Sequence, residues 1–231
     1  FVTDERRATM YHDDPLFLVT DHKINAVDQI LPILEMVARE GRPLVIIAED
    51  IEGQALAALI MNAMRGTMKI AAIKAPRYGE DRLNTMQDLA LSVGATFVGR
   101  GGGMKLPEVK MAHLGSAKFV ESTKFVTTVV GGNGDFEKIE EQIAQLKALV
   151  EQTDSLQICE QYQDRIVRLS AGVAIIRVGG ATEIEMTEKK HRVEDALEAV
   201  RSAQEEGIIG GGGTALLRAS SSIVMSVESS D

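Results

Sequence analysis

Between residues 16 and 98, short apolar runs alternate with segments of helical length, and this alternation restricts the fold more than any other property of the chain. Leu16–Val19, Leu44–Ala48, Ile70–Lys74 and residues 95–98 read as strands, separated by helices near 26–40, 52–65 and 81–92. Parallel strands need a crossover of a dozen or more residues, so strands spaced by such helices give βαβ units and a largely parallel sheet. The turn chemistry agrees with these limits. Gly41-Arg42-Pro43 ends one helix, Ala75-Pro76 leaves a strand and Gly94 closes another helix.

Past the four glycines within residues 99–103 the pattern changes. Residues 119–130 read as two extended runs, followed by the breaker Gly131-Gly132-Asn133-Gly134. Helices over 136–151 and 156–169, joined by Gln152-Thr153-Asp154-Ser155, form a helical hairpin. Residues 172–178 read as a buried strand and 182–206 as a long charged helix; the glycines at 210–213 open a last helix. The serine-rich residues 220–231 are expected to trail off without a capped element. The expected class is α/β, a parallel-rich sheet flanked by helices with a small β region and a helical hairpin, followed by a mixed segment.

With 25 basic and 34 acidic residues the formal charge is -9, which repels a phosphate backbone and argues against a nucleic-acid partner. No apolar run approaches the ~18 residues of a membrane span, and no basic-then-apolar leader follows Phe1. Both ends of the chain read as cut edges of a longer one. The single cysteine, Cys159, excludes an internal disulfide and reads as packing or partly exposed surface. His12, His22, His113 and His191 are scattered without ligand spacing, so no metal ligand is assigned.

Two helices carry more apolar surface than a sheet face requires. Residues 54–65 include Ala55, Leu56, Ala57, Ala58, Leu59, Ile60, Met61, Ala63 and Met64, interrupted only by Gln54 and Asn62; the preceding helix adds Leu31, Ile33 and Met36 beside the stripe Val27, Ile30, Leu34 and Val37. Either other parts of the domain bury the surplus, or it is an exposed groove for apolar segments of other chains. If exposed, Leu31, Leu34, Leu56, Ile60 and Met61 would leave roughly 7 to 15 kcal/mol of burial unrealised, and adaptable Met and Leu suit promiscuous binding. A second oddity pairs Asp195, in Arg192-Val193-Glu194-Asp195-Ala196, with the glycines at 210–213. Glycines before a helix permit close approach of backbone N–H groups to a phosphate, and a nearby carboxylate could hold Mg2+ or orient a water. An acidic residue on a charged helix is more often simply solvated, and no GxxxxGK[ST] or GxGxxG follows a strand.

Several long motifs in order give the chain a specific likeness. Pro43-Leu44-Val45-Ile46-Ile47-Ala48-Glu49-Asp50-Ile51-Glu52-Gly53, Asn62-Ala63-Met64-Arg65-Gly66, Ile73-Lys74-Ala75-Pro76, Gly172-Val173-Ala174-Ile175-Ile176-Arg177-Val178-Gly179, Arg192-Val193-Glu194-Asp195-Ala196 and Glu205-Glu206-Gly207-Ile208-Ile209 closely resemble the GroEL-type, group I chaperonins. The resemblance extends from Phe1 to about Ala219. It implies a subunit of a homo-oligomeric ring, with an apical domain over 1–172, an intermediate-domain segment over 173–206 and the start of a C-terminal equatorial segment over 207–231. It places a groove for non-native polypeptide and a GroES-type co-chaperonin on Leu31, Leu34, Leu56, Ile60, Met61 and Asn62, with Phe1 on the segment beneath. It gives Asp195 to ATP hydrolysis, Gly212 to nucleotide contact and Ala171-Gly172 to the apical hinge, with ATP and Mg2+ as cofactors of the full-length subunit and the rest of the nucleotide pocket in a segment outside this sequence.

Family resemblance thus implies an ATP-dependent chaperone, cytoplasmic or of an organellar matrix or virus-encoded, that captures clients on the groove and releases them beneath a lid. The alternative is an apical fragment that binds polypeptide without ATPase activity. Departures from the family pattern are Ile60-Met61 for a valine pair, Ala171 for a hinge glycine, Gln54 for an acidic residue and the glycine-rich Arg100-Gly101-Gly102-Gly103.

Overall fold

The computed structural model describes residues 1–170 and 176–228, with side chains as far as residue 221. Two compact units divide the chain, Phe1–Val173 and Ala174–Asp231.

The first unit is built on the expected parallel strands. β2 (Leu16–Val19), β4 (Leu44–Ala48) and β6 (Ile70–Lys74) lie side by side in parallel, with Leu18 opposite Ile46 and Ile46 opposite Ala72. β4 is buried along its whole length, the mark of a strand covered on both faces. Side chains alternate between faces along a strand. Leu16, Leu18, Leu44 and Ile46 therefore enter one core layer, with Ile33, Leu34 and Val37 of α1 (Leu31–Glu40) and Ala55 and Leu59 of α2 (Gly53–Met64). Phe17, Val19, Val45 and Ile47 enter the other, against Met86, Ala90 and Val93 of α3 (Gly79–Val93).

The antiparallel part hangs from one strand. β7 (Gly115–Ser122) pairs with β2 through Gly115 and Ser116, with β1 (Met10–Asp13) through its second half, and with β8 (Thr127–Gly132). The two extended runs expected over 119–130 are thus β7 and β8, and β8 continues through Gly131 and Gly132, which sequence takes for a breaker. Glycine is needed there because Gly131 takes φ +66° and a Cβ on Gly132 would lie 2.2 Å from the Ser92 carbonyl oxygen. The strand expected at 95–98 reduces to a single parallel bridge between Thr20 and Val98.

The helical hairpin is present as α4 (Phe136–Gln152) and α5 (Leu156–Ser170). Asp135 caps α4 by accepting the Glu137 N–H at 3.1 Å. Arg165 of α5 donates to both carboxylate oxygens of Asp88 on α3, at 2.7 and 2.9 Å, and both side chains are buried. A bidentate pair of this kind fixes orientation as well as contact.

The second unit holds α6 (Glu183–Glu206), capped by Thr182 accepting from Glu185 N–H, and α7 (Thr214–Glu228). Of the strand expected over 172–178 only 176–178 are described, and they are not strand. The serine-rich stretch does not trail off: α7 runs through it to Glu228. Ser220 and Ser221 return their hydroxyls to the Leu217 carbonyl within the helix, which is how serine is tolerated there. Among the described residues no helix is long and apolar enough to cross a membrane.

Candidate functional site

α1 and α2 start from a common clamp that the periodicity does not reveal. Two-residue strands β3 (Lys23–Ile24) and β5 (Asp50–Ile51) pair in parallel, β5 directly before α2 and β3 ahead of the short turn that leads into α1. The Ile24 carbonyl accepts from Glu52 N–H at 2.9 Å, and the Asn25 carbonyl accepts from Ala55 N–H at 3.2 Å in the first turn of α2. Before α1, Gln29 accepts through Oε1 from the N–H groups of Asn25 and Ala26, and α1 then begins at Leu31 after a separate tight turn, not continuously from residue 26. Gly53 takes φ +60° at the start of α2, and a Cβ there would come within 3.2 Å of the Asn25 carbonyl oxygen. Only glycine satisfies both conditions cheaply. The two helices are therefore stitched together at one end.

Their outer faces are partly apolar. Leu31 is 45% exposed, Ile60 39%, Met61 47% and Met64 79%. Leu56 is half-buried. Leu34, which the sequence places in the groove, is only 5% exposed and belongs to the core layer between α1 and the sheet. The unrealised burial is accordingly smaller than the sequence suggests: covering Leu31, Ile60, Met61 and Met64 completely would gain about 3 to 6 kcal/mol. Asn62 is half-buried and occupied locally, donating to the Ala58 carbonyl at 2.9 Å and receiving the Thr67 hydroxyl. Phe1 packs against both core layers at the lower end of α2.

At the opposite, carboxyl end of the sheet the glycine-rich loop is anchored by its arginine. Arg100 N–H donates to Asp21 Oδ1 at 2.8 Å, and its guanidinium reaches both the Asp21 carbonyl and Glu49. Glu49 also pairs with Arg82 of α3 at 3.1 Å. These links give the loop a structural account that its composition did not suggest. Nearby, Lys74 donates to Asp50 at 2.8 Å; that hydrogen bond draws the Asp50 carboxyl below its ordinary range and raises the Lys74 ammonium.

In the second unit Asp195 is exposed on α6, and Gly212, at φ +64°, lies in the turn before α7. Among the described residues no hydrogen bond or ion pair joins them, and no group of three or more His, Cys, Asp or Glu is placed to hold a metal. Ala171 and Gly172 fall outside the described residues.

The sequence matches the model of the TCP-1/cpn60 chaperonin family over residues 20–231. The chain belongs to the TCP-1/cpn60 chaperonin family. Membership supports a chaperone role, and chaperonins generally bind non-native polypeptides, form oligomers and hydrolyse ATP.

Proposed function

We propose that this chaperonin chain is of the GroEL type and that its first unit captures non-native polypeptide on the outer faces of α1 and α2. One observation carries the reading: Leu31, Ile60, Met61 and Met64 remain exposed on two helices whose starts are clamped together by β3 and β5. A rigid pair of ridges with flexible Met and branched side chains takes apolar segments of many shapes. In the same reading a GroES-type co-chaperonin competes for this face in a ring-forming full-length subunit. Asp195 would serve ATP hydrolysis there and Gly212 would contact nucleotide, within a site that in this reading other segments of the subunit complete.

The maximum gain of about 3 to 6 kcal/mol, before the costs of association, corresponds to weak capture by one chain. Several copies acting on one client would multiply it. The test is binding of a labelled, reduced and unfolded protein to the purified chain, with and without Ile60→Glu, followed by addition of ATP. Binding that needs Ile60, with no phosphate release above the blank, is expected. Equal binding by the Ile60→Glu variant would overturn the assignment of the face, and steady phosphate release abolished by Asp195→Ala would overturn the statement about the nucleotide site.

A further inference from the structure

The apolar face of α2 continues past its last turn into a depression lined by Phe1, Val2, His12, Met64, Met68 and Lys69, beside the first residue of β6. Its volume is about 250 Å3, room for one side chain and part of the next. Most of the lining is apolar, and no acidic residue contributes to it. Lys69 forms no ion pair among the described residues. His12 is buried, and its Nε2 is shielded from solvent without a hydrogen-bond partner. A polar atom left in this state is uncommon because it forfeits its hydration without replacement. Burial first, and then the charge of Lys69, hold the imidazole below its ordinary pKa, opposed by Asp13 on the same strand.

The depression therefore combines apolar walls, one uncompensated cation and one unpartnered imidazole. The chain as a whole is acidic, with 34 acidic against 25 basic residues, so any preference for a negatively charged ligand must arise locally. A free anion would gain little from one exposed ammonium, whereas an apolar side chain gains from the walls. On the reading of the α1–α2 face as a polypeptide site, we propose that this depression is its acid-selective end: a subsite for an apolar residue of the bound polypeptide with a carboxylate beside it, the carboxylate meeting Lys69 close to the His12 ring that lines the depression. The inference deepens that reading and depends on it.

The probes are short labelled peptides, identical except for Asp, Asn or Lys next to a leucine, titrated against the whole chain by fluorescence anisotropy at low ionic strength. The Asp peptide is expected to bind about fivefold more tightly than the Asn peptide, and the Lys peptide more weakly than either. Lys69→Met should bring the Asp and Asn peptides to equal affinity. In the unaltered chain the Asp:Asn ratio should grow as pH falls from about 8 to 6, because a carboxylate held near the imidazole favours its protonated form through space. His12→Leu should flatten that slope. Equal affinity for Asp and Asn in the unaltered chain, or a preference that survives Lys69→Met, overturns the subsite. Asn-peptide binding lost in Ile60→Glu leaves the α1–α2 reading standing in that event; absence of all peptide binding overturns both.

Discussion

Leu34 and Ile60 stand on neighbouring helices and look alike in sequence, yet glutamate at each should have very different consequences. Leu34 is 5% exposed inside the layer between α1 and the sheet. Leu34→Glu removes a core side chain, which alone costs about 2 to 5 kcal/mol, and leaves a carboxylate without a partner in an apolar layer, which adds more. Ile60 is 39% exposed, so Ile60→Glu forfeits only about 1 to 2 kcal/mol of burial, with the carboxylate free to reach water. The assay is amide hydrogen exchange in β4, the strand flanked by β2 and β6, which reports the stability of this unit alone. Each ~1.4 kcal/mol is a factor of ten in protection when exchange follows global opening. Ile60→Glu should lower β4 protection by about tenfold and Leu34→Glu by about a thousandfold or more. Comparable losses in the two variants would refute the assignment of one residue to the core and the other to the binding face.

Removing Asp88 leaves Arg165 buried and unpaired, so Asp88→Ala should destabilise the first unit by about 3 to 5 kcal/mol and expose the α4–α5 hairpin to limited proteolysis before the sheet. Gly94 ends α3 at φ +73°, and a Cβ there would lie 2.6 Å from the Asn133 carbonyl oxygen; Gly94→Ala should therefore cost more than the ~1 kcal/mol of conformational strain alone, read as a lowered Tm. The depressed pKa of His12 means that the unfolded chain binds more protons between the folded value and 6.5. The stabilisation from a neutral imidazole is complete above 6.5 and is lost as pH falls through that window. Exchange in β1, corrected for its intrinsic pH dependence, should rise on acidification in the unaltered chain and stay flat in His12→Leu.

The parallel half of the fold was legible because Leu44–Ala48 and its neighbours are continuous apolar runs separated by helical spacings, which admit few other arrangements. β1 was not, since Met10-Tyr11-His12-Asp13 has neither strict alternation nor a continuous apolar run, and its place is set by pairing with β7 far along the chain. β3 and β5 were equally hidden. A two-residue strand has no period, and its signal resides in the backbone hydrogen bonds that join Ile24 to Glu52. At the site, composition identified the helices with surplus apolar surface but not which side chains remain outside, because Leu34 and Leu31 differ only in the direction the helix turns relative to the sheet. Arg100 carried no recognisable motif; its role emerges only when Asp21 and Glu49 are brought beside it.

The pairing of β7 also governs the order in which the chain can acquire its structure. β2, β4 and β6 recruit one another across single helical crossovers, whereas β7 reaches β2 and β1 only after roughly a hundred residues have intervened. Closing so long a loop is entropically late, and rates fall as contacts become less local. During synthesis the parallel strands can therefore assemble while the flank of β2 still presents unpaired N–H and C=O groups, the kind of edge that recruits strands from other molecules. A nascent chain of this chaperonin would pass through an aggregation-prone interval of its own, ending when Gly115 and Ser116 dock on Phe17 and Leu16.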